Sequence, residues 1–564
     1  MMLSTRRALL VASIAFGLAA CGKDEATDPL AYVPADTPYV MANRIVVPKA
    51  ITEAWMGMYG ANFGETYKNL AEEQQMKDIE GEMGVWLRAS LPEFANMTSI
   101  DGIEGLGLKV EARIAFYGYG LMPVYRLELA DAKRFAETVA RIEKRAGKTL
   151  AKRKIDDVEL WQFSDDKATV LFGPIGQFLV VTLAPVDADE ARLKAQLGLT
   201  MPESSLAKTG GLEAMDKQYG YDGHMSGYID IRGLAQRLSG RNQDDNAVIS
   251  AFGGEIPKLS DACASELDSM TQKFPRMVFG STDFTAKRLK FNGVVEMEQA
   301  LAASMQKLSA PIPGADSTDP MMFRLALSVD LPETVRFLGG VADSIAAEPY
   351  QCEELADLNA SAAEMKQNLA NPGLAMAGAM TAIHLGVRTL KVEPGASMPS
   401  ELSAFATLGS TSPVMIWGFA QQGVPALAKV QISTDGKIVA LPADALPLPM
   451  PLELKAIMTD KSFGVATSDI ADASFTAAAT MPANKDGTIL RYGISGDIFK
   501  LIAANMPEAD ADAEADGDEA KVKAKEAEDA RKMLANLGEH LDQVDVRLGL
   551  TDKGIVFSEE VTLK

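Results

Sequence analysis

Three histidines, His224, His384 and His540, are all the imidazole this chain offers for acid–base or metal chemistry, and they lie far apart in sequence. No Gly-x-Ser-x-Gly elbow, His-Glu-x-x-His, Walker loop or Cys-x-x-Cys pair accompanies them. Gly118-Tyr119-Gly120 runs into Pro123, which spoils a dinucleotide fingerprint. Met376, Met380 and His384 are spaced i, i+4, i+8. On a helix starting after Pro372-Gly373 they would share one side, and two thioethers with an imidazole suit Cu(I). Leu374 to Ile383 reads equally as a plain buried helix in which methionine fills gaps, and that reading is preferred. The expectation is a chain with no metal, no cofactor and no catalytic residue.

The cysteines carry a clearer chemistry. Leu18-Ala19-Ala20-Cys21-Gly22 follows Arg6, Arg7 and the apolar run Ala8 to Phe16, which is shorter than the roughly 20 residues of a bilayer span. This resembles a bacterial lipoprotein signal, in which Cys21 is acylated and becomes the first mature residue. An ordinary secretory signal with an incidental cysteine is the alternative. Each buried acyl CH₂ contributes about 0.8 kcal/mol, so several chains on one thiol hold a protein to a membrane. The resemblance implies a periplasm-facing protein, and Gly22 in place of aspartate favours the outer membrane. Thr5 to Leu10 loosely resembles a twin-arginine signal, which leaves the export route open.

With Cys21 used as the anchor, Cys263 and Cys352 remain. In an oxidising compartment an even remainder reads as one disulfide, with two unrelated thiols as the alternative. Such a bridge would close a loop of about 90 residues and restrict the unfolded chain by roughly 4 to 5 kcal/mol.

Composition bounds the rest. The chain has 564 residues and a net charge of −22. Removing Arg6 and Arg7 with a signal makes the mature balance more acidic still. That surface repels nucleic acid and anionic headgroups. At 47% hydrophobic the chain is globular. It is too long for one core. After Leu18 no apolar run approaches spanning length, so the expected membrane attachment is the lipid alone.

Residues 1–20 read as signal and 21–30 as a polar tether. Order is expected from Tyr32-Val33-Pro34-Ala35-Asp36-Thr37-Pro38-Tyr39-Val40, a turn feeding a strand. Helical patterning follows at 50–59 and 65–91, with Trp55 and Trp86 as core anchors. Arg113–Tyr117 and Val124–Leu129 alternate as strands. Asp131 should cap a helix with Phe135, Val139 and Ile142 on one face, and Gly147 should end it. Strands recur at 158–163, 169–172 and 178–183, and a helix near 187–197 completes the unit. Antiparallel strands interleaved with helices argue for an α+β fold.

A weak internal repeat runs through the chain. Asp222-Gly223 leads into Ser226–Leu238, and Asp486-Gly487 leads into Leu490–Leu501, each a strand running into an amphipathic helix. Hairpins at 277–297 and 544–563 follow in the same order. Upstream, 177–183 matches 462–467, and 155–163 matches 434–441. The expectation is two tandem, duplicated α+β units, 31–305 and 306–564, each an antiparallel sheet covered by helices. Residues 507–530 form an acidic low-complexity insertion that should become an exposed helix.

Several motifs resemble an uncharacterised family of periplasm-facing bacterial lipoproteins. They are Tyr32–Val40, Gly118–Val124, Asp261-Ala262-Cys263, Phe274–Gly280 and Pro349–Cys352, with Leu358-Asn359 shortly after. The resemblance implies a shared fold and address without an assigned activity, and it implies pairing of Cys263 with Cys352. The leading expectation is a non-catalytic binding or scaffold module of the cell envelope, with an envelope protein as partner. The alternative is a carrier for an apolar ligand such as a lipid or acyl chain, for which the 28 methionines would suit an adaptable groove. A cryptic hydrolase is third.

Overall fold

In the computed structural model, residues 114–185 fold largely as their alternation and turn residues dictate. The structure describes residues 28–58, 81–506 and 518–564, apart from 165, 252–253, 255–258, 318, 372, 375–377, 394–395, 397, 444–451 and 484–486. Two units emerge, Met1–Gly293 and Val294–Lys564, the division falling ahead of the expected 305/306. Each is a mixed α+β body built on an antiparallel sheet.

The strands of the first unit are β1 (Tyr39–Ala42), β2 (Ile114–Tyr119), β3 (Met122–Glu128), β4 (Ala151–Ile155), β5 (Val158–Ser164), β6 (Ala168–Ile175), β7 (Phe178–Pro185), β8 (Ser226–Asp230), β9 (Arg276–Phe284) and β10 (Arg288–Glu296). They pair in the order β4-β5-β6-β7-β3-β2-β1-β8-β9-β10. Its main helices are α1 (Gly81–Ala95), α2 (Ile100–Gly105), α3 (Ala132–Ala146), α4 (Glu190–Leu197), α5 (Gly211–Tyr219), α6 (Ile231–Arg237) and α7 (Asp261–Lys273). Asp131 caps α3 by accepting from the Lys133 and Arg134 amides, and Gly147 ends it at φ 70° in the left-handed region. Phe135 and Val139 on α3 join Trp86, Ile103, Ile114, Leu127 and Leu179 in the core on one sheet face.

On the other face lies the segment 28–38 that leads into β1. Val33 and Ala35 exchange backbone bonds with Leu206 and Ser204. Tyr32 stacks 3.9 Å from the guanidinium of Arg126, which is fully buried on β3 and donates to the Leu197 carbonyl at 2.8 Å.

The strands of the second unit are β11 (Phe323–Ser328), β12 (Met380–Val392), β13 (Pro399–Ser410), β14 (Val439–Ala440), β15 (Leu454–Met458), β16 (Ser462–Thr467), β17 (Thr488–Ser495), β18 (Leu541–Thr551) and β19 (Gly554–Leu563). Their order is β14-β15-β16-β13-β12-β11-β17-β18-β19, antiparallel throughout. The helices include α8 (Leu331–Ala347), α9 (Ala356–Leu369), α10 (Pro413–Gly423), α11 (Asp472–Ala479), α12 (Gly496–Asn505) and α13 (Asp518–His540). The helix expected beyond the acidic insertion is α13, while 507–517 lie outside the described residues, as do Cys21 and the whole signal. Among the described residues no helix is long and apolar enough to cross a membrane.

One expectation is corrected. Met380 and His384 lie on strand β12, not on a helix, because β-branched Thr381, Ile383, Val387 and Thr389 outweigh the small-residue helical pattern before them. Four residues along a strand span about 13 Å, against about 6 Å across a helix turn. Met380 is 48% exposed and His384 only 1%, so the two share no ion; Met376 lies outside the described residues.

Candidate functional site

The sheet of the second unit lines up its polar residues by register. Thr407 faces His384, His384 faces Ala326, Ala326 faces Arg491, and Arg491 faces Arg547. One step along, Phe405, Gly386, Arg324, Gly493 and Asp545 form the next row on the same side. Residues directly opposite on antiparallel strands point the same way, so both rows share one face. Gly386 is required there, since a Cβ would strike the Phe405 ring, which meets His384 edge-on with centroids 5.0 Å apart.

Across this face runs a strap, residues 309–317 and 319–320, that leads into β11. It forms no strand ladder, and side chains of the sheet take up its carbonyls at alternate positions. His384 Nδ1 stands 2.7 Å from Pro313 O, and Arg491 Nη1 donates to Ala315 O at 2.7 Å. Arg324 donates from Nη1 to Ser317 O and from Nη2 to Asp319 O, each at 2.9 Å. Buried carbonyls must be paired, and a guanidinium fork can pair two at once. The strap is also tied at Ala310, whose amide reaches Ser328 Oγ, and at Gly314, whose amide reaches Thr480 O at 2.8 Å. Asp545 bridges Arg491 and Arg547 through Nε contacts of 2.8 and 2.9 Å.

These surroundings fix protonation. Burial pulls His384 down to about 4; the Pro313 carbonyl opposes this, while Arg324 and Arg491 add to it. Facing a carbonyl, Nδ1 carries the proton of the neutral ring, which makes Nε2 a bare acceptor. Nε2 is buried without a partner among the described residues and borders a cavity of about 30 Å³, lined by Ile312, Ala326, Thr488, Arg491 and Arg547 among others. That volume suits one or two waters. Burial likewise lowers Arg324 to about 10, with Arg491 contributing, and it stays charged at neutral pH. With Nδ1 committed to the Pro313 carbonyl and the guanidiniums to the next three alternate carbonyls, these side chains bind backbone.

The opposite face of the same sheet is apolar and open. Along β11, Arg324, Ala326 and Ser328 are buried, whereas Phe323 and Leu325 are half-buried and Leu327 is 43% exposed. Along β12, Ala382, His384 and Gly386 are buried and Ile383, Leu385 and Val387 are half-buried. Register carries this second row sideways to Leu490, Tyr492 and Ile494 on β17 and to Val544, Val546 and Leu548 on β18, all half-buried. The usual alternation, apolar inside and polar outside, is inverted here. The row is only partly covered, its residues half-buried and Leu327 exposed. α8 and α9 pack on each other, and each buries a single alanine, Ala342 and Ala362.

The other sequence candidates resolve separately. In the first unit His224 Nδ1 stands 3.2 Å from Asp222 Oδ2, and Ser281 Oγ donates to Asp222 Oδ1 at 2.6 Å. A hydrolase triad needs histidine between serine and carboxylate; here the carboxylate is in the middle and Ser281 is fully buried. Burial raises Asp222, but the bonds from His224 and Ser281 outweigh it and hold the carboxyl below its usual range. His540 on α13 reaches back to Asn536 O at 3.0 Å. Cys263 is buried in the first turn of α7, whose N-cap is Ser260, and Cys352 is buried just before the turn Glu353–Leu355. Arg324, Arg491 and Arg547 carry no sequence motif. Their only signal is the period of two, Arg324-x-Ala326-x-Ser328 and Ala382-x-His384-x-Gly386, which read alone assigns the polar side to solvent.

Comparison of the chain with protein-family models, with curated proteins and with solved structures finds no match in any of the three.

Proposed function

We propose that this chain is a lipid-anchored cell-envelope protein acting as a non-catalytic binding module, with the open apolar sheet face of the second unit as its binding surface. The carrying observation is the inverted alternation on β11 and β12, which keeps Arg324 and His384 inside and leaves Leu325, Leu327, Ile383 and Leu385 on the open side. Contiguous open apolar surface marks a place where something docks. The non-catalytic reading is supported by the histidines, since His384 and His540 are engaged with backbone carbonyls and His224 with Asp222. An envelope protein is the favoured partner, because the face is open and broad rather than an enclosed pocket. A carrier for an acyl chain is the second reading, favoured by the purely aliphatic and aromatic lining.

The two units would descend from one duplicated α+β unit. In each, an opening strand (β1, β11) lies beside a hairpin (β2–β3, β12–β13) on one side. A later strand (β8, β17) and a closing hairpin (β9–β10, β18–β19) lie on the other. A strap also precedes the opening strand in both. Pro34-Ala35-Asp36-Thr37-Pro38 and Pro313-Gly314-Ala315-Asp316-Ser317-Thr318-Asp319-Pro320 are similar in sequence there. Acylation of Cys21, an outer-membrane address facing the periplasm, and a Cys263–Cys352 disulfide complete the proposal.

Native mass spectrometry of protein purified from its own envelope tests the set. A co-purifying protein lost on Leu327→Asp supports the module, and lipid in stoichiometric amount replaces it with the carrier. An unacylated N-terminus, or two alkylatable thiols without reduction, removes the anchor or the disulfide respectively.

A further inference from the structure

From Leu402 to Thr434 the chain carries a single charge, Lys429, although 23% of all its residues are charged and the net charge is −22. At the middle of this stretch lies α10, with Pro413 in its first turn. Its inner side is fixed. Trp417 is buried against Phe463 with ring centroids 5.5 Å apart, in a cluster with Leu427, Ala456 and Met458. Gln421 Nε2 closes the following turn on the carbonyls of Leu427 and Val430.

Its outer side is mostly apolar too, with Gln422 its exposed polar residue. Val414 is 59% exposed, Phe419 52% and Met415 39%. An uncharged helix whose outward face carries three large apolar side chains and a single amide, Gln422, is suited to contact with lipid. We infer that the outer face of α10 docks on a lipid bilayer, with Val414, Met415 and Phe419 inserted at the boundary of headgroups and acyl chains.

Two arguments favour a bilayer over a protein. The three side chains offer on the order of 250 Å² of apolar surface, judged from typical side-chain areas. A stable protein interface needs about 800 Å² per partner, whereas interfacial insertion works with a few large side chains. Charge points the same way. The acidic remainder of the chain is repelled by anionic headgroups, and this stretch lacks any carboxylate, its one charge being positive. The contact does not rest on the N-terminal lipid or on the sheet face proposed above.

The test uses the chain from Gly22 to Lys564, which keeps every described residue and carries neither signal nor acylated cysteine. Flotation with phosphatidylcholine vesicles should recover it in the lipid fraction. The Val414→Ser, Met415→Ser, Phe419→Ser triple variant should partition about tenfold less or weaker still, while Leu238→Ser, an exposed apolar site of the first unit, should float like the parent. Each single variant should lose part of the effect, and all should melt at the parental temperature because the changed side chains are exposed. Failure of the parent to float, or equal flotation of the triple variant, overturns the inference. So does a parent that dimerises in gel filtration through this patch, which would make it a protein interface.

Discussion

His384 and Arg491 flank Ala326 from opposite sides of the same sheet row and hold two carbonyls of one strap, Pro313 and Ala315, two residues apart. With Arg324 they replace the backbone ladder that a neighbouring strand would have given the strap. The second unit thus has a buried polar face that is structural and an open apolar face that is available.

Arg324→Met should destabilise the second unit by about 1–3 kcal/mol, because it leaves Ser317 O and Asp319 O without donors in a partly buried setting. Arg324→Lys should recover only part of this, since one ammonium does not reproduce a planar fork. Urea unfolding of the full chain reads both. Equal midpoints for Arg324→Met and the parent would remove the strap from the stability argument.

The neutral state of His384 sets a pH dependence. Its folded value, about 4, lies below the unfolded one near 6.5, so the unfolded chain binds the extra proton between them. The stabilisation is whole above the unfolded value and fades as pH falls from about 6.5 towards 4. The loss is on the order of 3 kcal/mol. His384→Gln, which keeps a donor for Pro313 O, should flatten that part of the stability profile. An unchanged slope in the variant would contradict the assignment.

Gly314 sits at φ 67°, and a Cβ there would come within 2.7 Å of Ala478 Cα. Gly314→Ala combines left-handed strain with a backbone clash and should cost roughly 2 kcal/mol or more. Gly436 has φ 75° and open space around it, so Gly436→Ala should cost only about 1 kcal/mol. Thermal melts of the two variants give the comparison, and a larger loss at Gly436 would reverse the ranking.

On the open face, Leu327→Ser and Val329→Ser should change stability by no more than about 0.5 kcal/mol, because both side chains are already exposed. The pair should nevertheless weaken retention of whatever the parent holds in pull-downs from envelope extract. Retained binding would move the docking surface elsewhere.

Much of the local structure was legible. Asp131 and Gly147 bound α3 as their types require, and the strands and helix from Val158 to Leu197 follow from alternation and turn residues. Strand β4 was missed because Ala151-Lys152-Arg153-Lys154 shows no apolar alternation and pairs only with β5 among the described strands. Gly373 and Leu374 are helical as their pattern reads, but from Met380 on, pairing with β11 and β13 makes a strand. The site was illegible for a different reason. Alternation tells which residues share a face but not which face is covered, and what covers Arg324 is a strap whose hold on the sheet is long-range in structure. The sequence assigns such arginines to solvent by default.

Because the arginines and His384 grip the strap by main-chain oxygens, that grip is blind to side chains, and only Ile312, packed on Ala326 and Ala382, and Gly314, with no room for a Cβ, are read by identity. Exposed Asp316 is therefore free to drift, whereas Ser317, whose Oγ accepts from the Asp319 amide, is less so and the gripping residues are not. Variation should accumulate at the exposed positions of the held segment and be purged from Ile312, Gly314 and the surface that holds them.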